Sequence, residues 1–193
     1  MRTLRLLAAL GLAVVTAGCD PNAFLVVSLH PLFTKVDAVV EPALVGLWAA
    51  EDGEATWAFQ ESGDNSYDLL ATEHGKTAKF RAHLGRLGES LFLDISLTSF
   101  TEAGVTNMLP LIHLIPAHTI WRVWIEGDVL RFAILEVGLL KNASNDETAR
   151  IAREDLDEQI VITAPTQELQ EFVLRHAEAA DAFPNPIELH RQN

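Results

Sequence analysis

Residues 77–87, TAKFRAHLGRL, and residues 91–97, LFLDISL, decide the fold. In the first stretch Ala78, Phe80, Ala82 and Leu84 fall on one face, with Lys79, Arg81 and His83 on the other. In the second, Leu91, Leu93, Ile95 and Leu97 share a face opposite Phe92, Asp94 and Ser96. Successive side chains of a strand point to opposite faces, so this period-two pattern marks half-buried antiparallel strands. Gly88-Glu89 between them reads as a tight turn.

The same reading extends in both directions. Upstream, 44–50 (LVGLWAA) is a first strand, Thr56 to Glu61 a second and Tyr67 to Glu73 a third, separated by turns at 51–54, 62–65 and 74–76. Downstream, after a break over 99–117, His118 to Ile125 is a sixth strand, 126–128 a turn and Val129 to Glu136 a seventh. Residues 137–157 are polar, with a short helix around Leu139, and Gln159 to Thr163 makes an eighth strand. The expectation is a mainly β chain, an antiparallel up-and-down barrel of about eight strands, because closure removes exposed edges. Phe24 to Leu29 is either a strand or packed chain. The tail predicts a helix over about 166–183. Thr166 caps it, Leu169, Phe172, Val173, His176, Ala177, Ala180 and Phe183 form its apolar stripe, and Pro184 and Pro186 stop it. Such a stripe packs on the outside of the domain or plugs one end.

Gly46-Leu47-Trp48, placed in the first strand of a meander, resembles the Gly-x-Trp of lipocalins. The resemblance, over about residues 44–136, implies a lipocalin-like barrel in which Trp48 packs across a closed base and a late Arg stacks on it. Arg122 and Arg131 are the candidates for that Arg. Barrels of about this size are filled by side chains or hold one small ligand. The inward residues mix large (Phe80, Trp121, Phe132) with small (Ala78, Ala82), which leaves a cavity or fits the taper of a packed core. Residues 108–116, MLPLIHLIP, are apolar and bracketed by Pro110 and Pro116, which limit strand pairing. This loop is either part of the core over the barrel mouth or a lipid-facing lid. As a rim it would offer Leu111 and Ile115 as apolar contacts and His113 as a polar anchor.

The beginning of the chain carries a different message. Arg2 and Arg5 precede the uncharged run Leu6 to Val15, then Thr16-Ala17-Gly18, then Cys19, the single cysteine. Basic, apolar and small-residue regions in that order form a secretory signal, and the apolar run is too short to span a bilayer. With the cysteine directly after the small residues, the segment resembles a bacterial lipoprotein signal. That implies cleavage before Cys19 and acylation of Cys19, whose several acyl chains anchor stably. An ordinary signal peptide would leave a free thiol in an exported chain, and a lone cysteine cannot close an internal disulfide. The division is then 1–18 signal peptide, 19–43 anchor and tether, and 44–193 a single domain. Localisation follows as the bacterial cell envelope, facing the periplasm or exterior. Asp20 resembles the inner-membrane retention signal of enteric bacteria, and the choice of membrane stays open.

The chain has 14 basic and 27 acidic residues. Loss of Arg2 and Arg5 with the signal leaves 12 basic residues and a net charge of −15. Such a surface repels nucleic acid and anionic headgroups. No HExxH, HxH, Gly-x-Ser-x-Gly or phosphate-cradling glycine loop occurs, so neither a metal nor a cofactor is expected. The seven histidines read as scattered surface and loop residues. The expected function is non-enzymatic: a membrane-anchored envelope protein holding a small apolar ligand. The alternatives are a structural or interaction lipoprotein with a solid barrel and, more distantly, a periplasmic hydrolase.

Overall fold

The computed structural model describes residues 25–98, 115–142, 150–156 and 159–192. Cys19, Leu111 and His113 lie outside these residues, so the structure places none of them. Seven strands run as a meander: β3 (Gly46–Ala49), β4 (Ala55–Ser62), β5 (Ser66–Glu73), β6 (Lys76–Leu87), β7 (Ser90–Leu97), β8 (His118–Glu126) and β9 (Val129–Ile134). The eighth wall is β12 (Ile187–Arg191), which pairs antiparallel with β9 on one side and β3 on the other. Every neighbouring pair in the ring is antiparallel, so these eight strands close a barrel.

The closing strand corrects the sequence reading. The predicted eighth strand exists as β11 (Gln159–Ile162), but it stands outside the ring, parallel to β1 (Leu25–Ser28) and antiparallel to β10 (Arg153–Asp155). The barrel is closed instead by a segment just past Pro186, beyond the prolines expected to stop the tail helix. The tail helix is also shorter than expected. A first short helix, α1, covers Val137–Asn142, and the second, α2, runs Thr166–His176 and stops there. Ala177 keeps helical dihedrals as the C-cap, whereas Ala180 lies exposed in the turn that follows. Pro165, not Thr166, occupies the N-cap, and no side chain caps it. The Thr166 hydroxyl donates instead to the Pro31 carbonyl at 2.7 Å.

Two apolar cores result. The inner one fills the barrel with Trp48, Trp57, Phe59, Tyr67, Leu93, Phe132 and their neighbours. The outer one lies between the barrel wall and a covering layer. Phe92, Ile120 and Ala133 of the wall meet Leu169, Phe172 and Val173 of α2, together with Val26, Leu140 and Ile160. Helix α2 thus packs on the outside, with Gln167, Glu168, Glu171 and Arg175 exposed.

Between β1 and the barrel the chain descends along the outer wall. The two-residue strand β2 (Ala38–Val39) pairs with β6 at Gly85 and Leu84, on the stretch of that edge that lies before β5 begins. A 3-10 helix, Pro42–Leu44, then crosses the base and leads into β3.

Candidate functional site

The two ends of the barrel differ. At the base, Leu44, Trp48 and Tyr67 are fully buried. The Trp48 indole N–H donates to the Leu44 carbonyl at 2.9 Å, and the Tyr67 hydroxyl accepts from the Glu41 amide at 2.6 Å. Burial pushes the Tyr67 phenol above its ordinary pKa. Arg191 lies over the Trp48 ring, its guanidinium carbon 4.1 Å from the centroid. It donates to the carbonyls of Val45 at 2.8 Å and Ala43 at 2.5 Å. Gly46 makes this approach possible, since its φ is +135° and a Cβ there would sit 2.8 Å from Arg191 Nη1.

The late Arg on Trp48 is therefore Arg191, and neither earlier candidate takes the role. Arg122 faces the outer layer, 4.9 Å from the Trp124 ring, and donates to Ser90, Glu178 and the Ala177 carbonyl. Arg131 pairs with Glu126 at 2.5 Å. Sequence position hid Arg191, because a strand after two prolines at the end of a chain leaves almost no periodic signal.

Halfway up the barrel, three aromatic rings meet. Trp57 stacks on Phe132 with centroids 4.4 Å apart, and Trp121 stands edge-on to both, at 5.7 Å from Trp57 and 5.5 Å from Phe132. Such offset and edge-to-face contacts are the favoured geometry for rings. Two of the proposed ligand-lining residues, Trp121 and Phe132, are thus in contact, and Phe80 packs on the edge of the same cluster.

Above these rings the inward face is less covered. Phe80 pairs in register with Leu97, Trp121 with Ile134, and Phe132 with Ile187. Directly opposed strand residues share a face, so all six point inward. Phe80, Leu97, Trp121 and Ile134 are only half-buried and Ile187 is 48 % exposed, whereas Phe132 beneath is buried. These residues form an apolar rim at the end opposite Trp48. Ile115, at the start of the approach to β8, is 68 % exposed.

A separate groove of about 460 Å³ lies on the outer wall. It is lined by Ala58, Gln60, Asp68, Leu70 and Lys79 on β4 to β6, with Phe80 and Thr98 at its edge. It shares one residue, Phe80, with the predicted set.

The histidines are not all at the surface. His118 Nδ1 is 2.6 Å from Asp94 Oδ1, and Asp94 is 1 % exposed. His83 faces Asp94 from β6 and is half-buried, and burial pulls its imidazole below the ordinary range despite the nearby carboxylate. His176 lies against Phe172, ring centroids 4.7 Å apart. Alternation had assigned Asp94 to the solvent face. The signal that pointed the other way was Phe92, a large apolar residue on that same face. Among the described residues, no group of three His, Cys, Asp or Glu could hold a metal ion. No described helix is long and apolar enough to cross a membrane.

Comparison with protein-family models, with curated proteins and with solved structures finds no match to this chain.

Proposed function

We propose that this is a lipid-anchored envelope protein whose lipocalin-like barrel receives a small apolar molecule at its mouth. One observation carries the reading: the base is sealed while the inward apolar rim of Phe80, Leu97, Trp121, Ile134 and Ile187 stays partly open. Ligand sites are largely apolar concavities with few polar anchors. Trp57, Trp121 and Phe132 would form the floor of a shallow cup, with Ile115 as an apolar contact at its edge. Cys19 would hold the domain at the membrane, with the lipid as its one membrane contact. A solid-barrel interaction protein is the second reading, favoured by the Trp57–Phe132 stack that fills the barrel at mid-height.

The test is native mass spectrometry of the protein released gently from its own envelope, with and without Leu111→Ser and Ile115→Ser. The cup reading expects a co-purifying apolar mass that the double variant loses at little cost in stability. No bound mass in the parent, with the double variant destabilised by about 1.5–3 kcal/mol, as for the loss of one buried apolar side chain, gives the lead to the solid barrel.

A further inference from the structure

Between β1 and β2 the chain crosses the outer wall as a strap, residues 28–34, clasped between β6, β7 and α2. Ser28 and Leu32 are fully buried and Phe33 nearly so. The Phe33 ring occupies the space that a side chain at position 85 would need, so Gly85 is part of its seat. Besides the Leu29 amide, which donates to the Ile162 carbonyl at 2.9 Å, three side-chain contacts from β7 and α2 hold the strap's backbone. The Pro31 carbonyl accepts from Thr166 at 2.7 Å, the Leu32 carbonyl accepts from Gln170 at 2.8 Å, and the Leu32 amide donates to Asp94 Oδ2 at 2.7 Å.

The Asp94 contact differs in kind from the other two. A fully buried carboxylate is expensive unless charge-assisted bonds surround it. Asp94 has the strap amide on one oxygen and His118 Nδ1 on the other. Directly opposite in register stands His83, whose buried Nδ1 has no hydrogen-bond partner among the described residues. The other charged groups around this row are Arg81 on β6, Lys35 just after the strap, Asp64 before β5, which pairs with Lys35 at 2.6 Å, and Asp37, which accepts from Thr34. Helix α2 contributes the uncharged Thr166 and Gln170.

We propose that the His83–Asp94–His118 row is an acid-sensitive latch that holds this strap against the barrel and releases it as pH falls. The Leu32 amide and His118 share the Asp94 carboxylate, so the strap is tied to this row through Asp94. Protonating His83 puts a cation into a half-buried site where no described residue accepts its Nδ1 proton and where burial outweighs the facing Asp94 carboxylate. Because burial holds the His83 pKa below its ordinary value of about 6.5, the released form takes up the proton first, and acidification below that value favours release. Release uncovers Leu32, Phe33 and the apolar seat over Gly85 beside α2. The base keeps its own closures, since the Trp48–Leu44 and Tyr67–Glu41 bonds lie outside the latch. This device does not depend on the ligand or on the lipid anchor.

The experiment is a pH titration from 7.5 to 4.5 of the whole ¹⁵N-labelled protein in mild detergent, following amide shifts and exchange protection. Leu32 and Phe33 amides should lose protection about tenfold or more in the acid limb, while the Trp48 and Trp57 indole signals hold their positions. His83→Gln should move the midpoint to lower pH, and Asp94→Asn should free the strap already at pH 7.5. Protection of Leu32 that persists to pH 4.5 overturns the latch, and so does simultaneous loss of strap and barrel signals. A midpoint unmoved by His83→Gln overturns it as well. If Asp94→Asn fails to fold, the titration of the unaltered protein still decides.

Discussion

The inner core and the outer core are built from the same strands by opposite faces. Inside, Leu93, Ile95, Trp121 and Val123 of β7 and β8 meet residues from every other wall of the barrel. Outside, Phe92 and Ile120 of those same strands are equally buried, but by α2, β1 and β11. The inner core belongs to a closed ring in which each strand is held on both edges. The outer core depends on a separate layer, joined to the wall by the short pairing of β1 with β8 at Ser28 and His118, by packing and by a few polar clasps such as Arg122 to Ser90, Glu178 and the Ala177 carbonyl. Burial is comparable in the two places, while connectivity is not. Loss from the ring should therefore unfold everything together, and loss from the layer should be partly local.

The largest test of that contrast is Trp48→Ala. Removing a fully buried Trp with its hydrogen bond and its Arg191 partner should cost about 3–5 kcal/mol. Far- and near-ultraviolet circular dichroism should melt at one lowered temperature. An unchanged melting temperature would show that the base is not what secures the ring.

Leu169→Ala removes a fully buried side chain from the outer layer, at an expected cost of about 2–3 kcal/mol. Here α2 amides should lose exchange protection while those of β4 and β5 keep theirs. Equal loss in both regions would erase the distinction between the cores.

The smallest effect separates two arginines of the ring. Arg191→Ala forfeits the stacking on Trp48 and two carbonyl contacts and should cost about 1–2 kcal/mol. Arg131→Ala breaks a largely exposed pair with Glu126 and should stay within about 0.5 kcal/mol of the parent in chemical denaturation. A reversed order would return the closing role to Arg131.

Much of the barrel was legible because β3 to β9 are consecutive and joined by short turns, so alternation and turn residues describe them locally. The inward positions of Phe80, Trp121 and Phe132 follow from that alternation. The Asp94–His118 pair did not, because a residue on the outward face of a strand looks solvent-exposed until something covers it. That cover comes from the strap before the barrel and from α2 after it, segments far from β7 in sequence. The mouth was half legible: apolar residues facing inward could be read, but whether side chains meet above them depends on the ring's closure.

The sequence by itself determined the strand meander, the turn positions, the placement of Trp48 in the first wall and the apolar stripe of α2, because each rests on spacing within a dozen residues. Tertiary structure alone decided that β12 closes the ring, that Arg191 covers Trp48, that β11 stands outside the barrel and that Asp94 is buried. Each of these joins segments tens of residues apart, and local periodicity carries no information about which distant edge or face a segment will meet.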